Sequence, residues 1–233
     1  MKKIIVFALT VVLVPAAFSQ QQAAPTVDRP EEPNLVFDDD GGKVQFVPAD
    51  LSAAAEKKFH GGAVMTQVRQ VSIFLGSGWA DTQVRVRQSA LKDVAAGDAD
   101  APTAGATTAE LRQHKIRTAI AAPHVEDFTD LSKTTLNDLD IQGRLSAMLE
   151  SKAIPAPTAS TVYVVFLAPE VSSTLGRLTA GTDYVAYHNV VNLEAGEVRY
   201  VVVPFHQNSG EHCAAAARAF SETALNPNGQ GWF

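Results

Sequence analysis

Residues 161–167 read TVYVVFL, an apolar run with no polar side chain after its opening threonine. A half-buried strand alternates apolar and polar residues. An unbroken run of this length therefore predicts a strand covered on both faces, at the centre of a sheet flanked by helices. Three segments read as its fellow strands: 67–75 (QVRQVSIFL), where Val71, Ile73 and Leu75 alternate, then 184–191, then 198–204 (VRYVVVP). Helical spacing marks three others. Leu139, Ile141, Leu145, Met148 and Leu149 recur along 136–152, which Pro155 ends. Asp81 caps a stretch carrying Val84, Val86, Ala90, Leu91 and Val94 to about Ala96, and an alanine-rich run begins near Glu211 and stops at Asn226-Pro227. Segment 108–120 opens a short helix or a strand. The order strand, helix, helix, strand, strand, strand, helix predicts one mixed-sheet α/β domain flanked by helices.

The amino terminus has the parts of an export signal: Lys2 and Lys3, an apolar core from Ile4 to Leu13 closed by Pro15, and small residues Ala17 and Ser19 before a cleavage site. Its apolar stretch of about fifteen residues is shorter than the roughly twenty of a spanning helix. Residues 1–19 thus read as a cleaved signal peptide, and the chain as exported to periplasm or medium without stable membrane insertion. Residues 20–58 read as an extended, partly disordered leader, beginning with the polar, proline-rich QQQAAPTVDRPEEPN. Within it, Asp38-Asp39-Asp40-Gly41-Gly42 lacks the glutamate a calcium loop carries at its twelfth position and reads as a turn between short strands. Without Lys2 and Lys3 the chain has 17 basic against 25 acidic residues, a balance that argues against nucleic acid and anionic membranes as partners. Cys213 is the single cysteine, so no internal disulfide is possible. Neighbouring His212 points about 100° away on a helix, which favours a buried, inert thiol over a nucleophile.

Three blocks carry a family resemblance. Phe59-His60-Gly61-Gly62-Ala63-Val64-Met65 leads into VSIFLGSGWAD, VYVVFLAP from Val162 is followed by a Tyr187-His188 pair, and Ala219 to Pro227 reads AFSETALNP. In order and spacing they resemble the exordium-like, or phosphate-induced protein, family of plants and bacteria. That family has a YHGGPV entry, a Tyr-His pair and an H-E-L-A-E-x-x-x-N/D-P helix. Because the last is similar to zinc peptidase helices, the resemblance implies a zincin-like fold over 59–233 and a cell-surface or extracellular role. Arg218 stands at the ligand histidine's position and Ala219 at the glutamate's; only Glu222 matches. An arginine cannot shed its proton to ligate a cation, and alanine does no acid–base work. The expectation is an exported, non-catalytic binding protein with no metal and no cofactor.

Arg218 and Glu222 lie at i, i+4 and predict an ion pair that puts a guanidinium where a metal's charge would lie. Buried, the pair keeps a pocket neutral; exposed, it is worth about 0.2–0.5 kcal/mol. No two of the six histidines lie at i, i+3 or i+4. On the resemblance, His60 and His188 are candidates for a ligand pocket, against structural roles for both. An alternative function is a metal-dependent hydrolase drawing ligands from His60, His188 or His206 with Glu222; a structural envelope protein is another. Trp79 and Trp232 each follow a glycine in a loop. Exposed, they would stack on the sugar rings of a cell-wall or matrix glycan; buried, they would plug the domain edge.

Overall fold

The computed structural model describes residues 35–37, 43–51, 57–92, 109–120, 124–129, 131–228 and 231–232. The export signal, residues 20–34, the turn at 38–42 and the predicted helix beyond Lys92 lie outside them.

The chain is mixed α/β, as its pattern predicts. One sheet runs in the order β1 (Leu35–Phe37), β2 (Lys43–Pro48), β10 (Tyr184–Leu193), β11 (Gly196–Val203), β7 (Thr161–Leu167), β3 (Gln67–Leu75), β4 (Arg117–Ile120). Strand β5 (Val125–Asp127) continues along the outer side of β3 past β4. From β11 to β4 the pairing is parallel; from β11 to β1 it is antiparallel. All seven residues of β7 are buried between β11 and β3, which is the central position its unbroken apolar run requires.

Helices cover both faces. On β7 the Tyr163 hydroxyl reaches the Pro155 carbonyl at 2.6 Å, just past α3 (Asp138–Glu150). Phe166, three positions on and so on the opposite face, packs against His212 of α4 (Ser209–Leu225). A capping box starts α3: Asn137 Oδ1 accepts from Asp140 N at 2.9 Å, and Asp140 Oδ2 from Asn137 N at 2.8 Å. Helix α3 is pinned to the sheet by the buried Asp138 carboxylate, whose Oδ2 accepts from Tyr200 at 2.7 Å, Gln142 at 2.7 Å and Asn189 at 3.0 Å. Burial, then the Asp138 charge, pushes the Tyr187 and Tyr200 phenols far up.

The two short strands read on either side of residues 38–42 are present as β1 and β2; β2, whose Val44 and Val47 are fully buried, pairs with β10, so the sheet takes in part of the 20–58 segment read as a leader. Other expectations are corrected. The stretch after Asp81 is two short helices, α1 (Thr82–Arg85) and α2 (Gln88–Leu91), and Val86 is exposed. Leu139 is also exposed, so the buried stripe of α3 runs through Ile141, Leu145, Met148 and Leu149. A small sheet of β6 (Thr135–Leu136), β8 (Ser172–Leu175) and β9 (Leu178–Thr179) gave no apolar period in the sequence.

Candidate functional site

Helix α4 opens with Asn208, whose side-chain oxygen accepts from Gly210 N at 2.8 Å and Glu211 N at 3.3 Å. Its alanines let it lie close on the sheet: Ala215, Ala216, Ala217, Ala219 and Ala224 are all buried. From its second turn onward only Ala214, Arg218 and Glu222 are part-exposed, one above another at i, i+4. Arg218 Nε donates to Glu222 Oε1 at 3.0 Å, with 20% and 16% of the two side chains exposed. The pair is thus neither solvent-swept nor sealed.

Beside it stands a second pair that the sequence did not single out. Lys57 Nζ donates to Glu110 Oε1 at 2.8 Å, and Ser221 Oγ, on α4, to Glu110 Oε2 at 2.8 Å. Burial would raise the Glu110 carboxyl, but the hydrogen bond and charge of Lys57, helped by Ser221, bring it below its ordinary value. Burial dominates at Glu222 and raises its carboxyl, against the pull of Lys57 and Arg218. The Lys57 charge is also felt at His188, which is 5% exposed. Burial and then that charge lower His188 to about 3, so it is neutral; its Nε2 has no partner among the described residues. Two cations and two carboxylates therefore share this end of α4 and cancel.

The chain end ties this region down. Asn226 donates to Gln45 Oε1 at 2.9 Å and accepts from Gly231 N at 2.6 Å. A Cβ on Gly231 would lie 2.1 Å from the Leu225 carbonyl, so only glycine fits. Trp232 follows, bridged to Phe59 with ring centroids 5.3 Å apart, and His60 N donates to Gly231 O at 2.9 Å. Phe59 is 52% exposed and Trp232 partly so, which leaves an aromatic pair at the surface beside the Lys57 segment.

The other candidates part company. Trp79 is fully buried, its Nε1 donating to the Phe166 carbonyl at 3.0 Å and its ring packed on Phe74, Phe205 and His212; an exposed sugar-stacking role for it is corrected, because the 3-10 turn Ser77–Ala80 folds the indole inward. His60 is exposed. His206 sits with Glu211, 3.3 Å away at the start of α4, about 16 Å of helix from Glu222, so these two cannot share an ion. Ala219 is fully buried, and a catalytic glutamate there would have no open space. His212 is 1% exposed in a ring nest of Trp79, Phe166 and Phe205, with both nitrogens unpartnered among the described residues. Burial, then His206 and Arg87, hold it at about 3. Cys213 is buried, which raises its thiol. Among the described residues no group of three His, Cys, Asp or Glu side chains is placed to hold a metal ion, and no helix is long and apolar enough to cross a membrane.

Lys57 and Glu110 escaped the sequence reading because both are far from α4 along the chain, Lys57 two residues before the Phe59-His60-Gly61-Gly62 block and Glu110 in the short helical segment 109–113. Compared with known proteins, the chain matches no family model, no curated protein and no solved structure.

Proposed function

We propose that this chain is an exported, non-catalytic binding protein of exordium-like type, on a zincin-like frame whose metal helix has been neutralised by basic side chains. The observation that carries the reading is the Arg218–Glu222 pair at 3.0 Å. A guanidinium already answers the carboxylate that would face a metal, Lys57 answers Glu110 beside it, and the site needs no ion for charge balance. Buried Ala219 supplies no base. Binding is assigned to the surface around Phe59 and Trp232, which offers apolar ring faces next to charged donors and acceptors, as a cell-wall or matrix glycan would require.

Elemental analysis of the native protein is expected to find no zinc, and peptidase assays no activity before or after chelation. One tightly held zinc per chain would overturn the reading. Arg218→His, which leaves Glu222 and buried His188 nearby, is the informative variant; stoichiometric zinc uptake by it alone would show the frame to be that of a metal site. For the ligand, Trp232→Ala and Phe59→Ala are each expected to weaken retention on the preferred polysaccharide of a cell-wall panel about tenfold, or about 1.4 kcal/mol. Equal retention of wild type and both variants would remove the aromatic pair from consideration.

A further inference from the structure

The chain as a whole is acidic, with 19 basic against 25 acidic residues, yet two of its segments reverse the balance. Residues 57–60 and 109–117 carry Lys57, Lys58, Arg112, Lys115 and Arg117 against a single carboxylate, Glu110. Three contacts bring these segments and the chain end together. Lys57 Nζ lies 2.8 Å from Glu110 Oε1, the His114 ring 4.5 Å from that of Trp232, and Trp232 5.3 Å from Phe59. Lys57 and Glu110 cancel. Lys58, Arg112, Lys115 and Arg117 are exposed, and among the described residues none of the four has an ion-pair partner.

Lys115 adds a second observation. It ends the helical segment 109–113 with φ +60. Around it Lys115 N donates to Arg112 O at 2.9 Å and Ile116 N to Leu111 O at 2.8 Å, the bond pattern of a helix stop that glycine fills at much lower cost. Glycine would suit this backbone better. What lysine brings to the position is a charge, next in sequence to the histidine that packs on Trp232.

We propose that this face takes an acidic glycan, a polyuronate whose sugar rings lie on Phe59 and Trp232 and whose carboxylates meet Lys58, Arg112 and Lys115. The inference rests on the glycan reading of the aromatic pair and names the class of glycan. Every unit of a uronate chain joins an apolar ring face to a carboxylate, and this surface offers an aromatic ring and a free cation side by side. Arg117, two residues past Lys115 at the start of β4, extends the row of cations for a longer chain. A single-stranded nucleic acid also combines rings with negative charge. Here, however, Phe59 and Trp232 touch each other at a tilt of 36° and His114 stands edge-on to Trp232 at 64°, which leaves no parallel slot for a base. The chain's excess of acid further opposes a polyphosphate.

The test uses the full chain and a fluorescein-labelled galacturonic acid hexamer, compared with its methyl ester, which keeps the rings and removes the charge. Anisotropy is expected to saturate with a Kd of about 0.1 mM for the acid and to be about tenfold weaker for the ester, the difference closing in about 0.5 M salt. Arg112→Gln and Lys115→Gly should each weaken the acid severalfold and leave the ester unchanged, whereas Trp232→Ala should weaken both. Lys115→Gly should also raise Tm by roughly 2 °C through relief of the left-handed lysine, which separates lost binding from lost folding. Equal affinity for acid and ester, unchanged acid binding in both charge variants, or displacement by a single-stranded oligonucleotide but not by unlabelled hexamer would each overturn the proposal. If neither hexamer binds while a neutral polysaccharide of the panel is retained through Trp232, the acidic class fails alone; if no glycan is retained, the glycan reading fails with it.

Discussion

Trp79→Ala is expected to destabilise the protein by about 4–5 kcal/mol, at the upper end for a buried aromatic. The indole is fully enclosed, in edge contact with Phe74 at 5.0 Å and Phe205 at 5.8 Å and stacked on His212 at 6.3 Å. Its loss leaves a cavity that the β7 floor cannot fill and takes away the donor of the bond to the Phe166 carbonyl. Trp79→Phe keeps most of the volume and should cost only about 1–2 kcal/mol, chiefly the hydrogen bond. Urea unfolding followed by far-ultraviolet circular dichroism reads both. A Trp79→Ala midpoint within about 1 kcal/mol of wild type would contradict the buried placement. By the same reasoning, any loss of glycan retention in Trp79→Ala would report damage to the fold rather than a lost stacking surface.

Mild acid should be almost as damaging. His188 and His212 are held at about 3 against an ordinary 6.5, so between those values the unfolded chain binds protons that the folded one refuses. Their contribution is complete above pH 6.5 and is lost as the pH falls through that window. From pH 7 to pH 5 each histidine should forfeit about 2 kcal/mol, about 4 kcal/mol together. The surroundings support neutrality at both: Lys57 faces His188, and His206 and Arg87 face His212. Of the carboxylates, lowered Glu110 adds to the loss only below about its ordinary 4.5, while raised Glu222 works the other way, taking up its proton in the fold as the pH falls toward 4.5 from above. Urea midpoints at pH 7, 6 and 5 give the slope directly. His212→Phe, which fits the ring nest without two unpartnered nitrogens, should roughly halve it; an unchanged slope would mean that His212 is not the group being protonated.

The legibility of this chain followed the reach of each signal. Strand β7 was readable because seven successive residues state that both faces are covered. The Arg218–Glu222 pair was readable because helical geometry alone brings i and i+4 together. The short strands of the β6–β8–β9 sheet were not, since runs of two to four residues carry too few alternations to show a period. Nor could local pattern place the two tryptophans. Both follow glycine in a loop, yet Trp79 is sealed under α4 and Trp232 is left at the surface by its contact with Phe59.

By itself the sequence determined the α/β class, the central strand, and a helix that sets Arg218 and Glu222 one above the other at i, i+4. The tertiary structure alone decided that Lys57 and Glu110, 53 residues apart, stand beside Arg218 and Glu222 as a second neutral pair, and that two histidines lie dry and neutral. The reason is physical. Backbone periodicity dictates which side of an element is apolar, but burial, and with it charge state and pairing, depends on which distant segment comes to rest on that side.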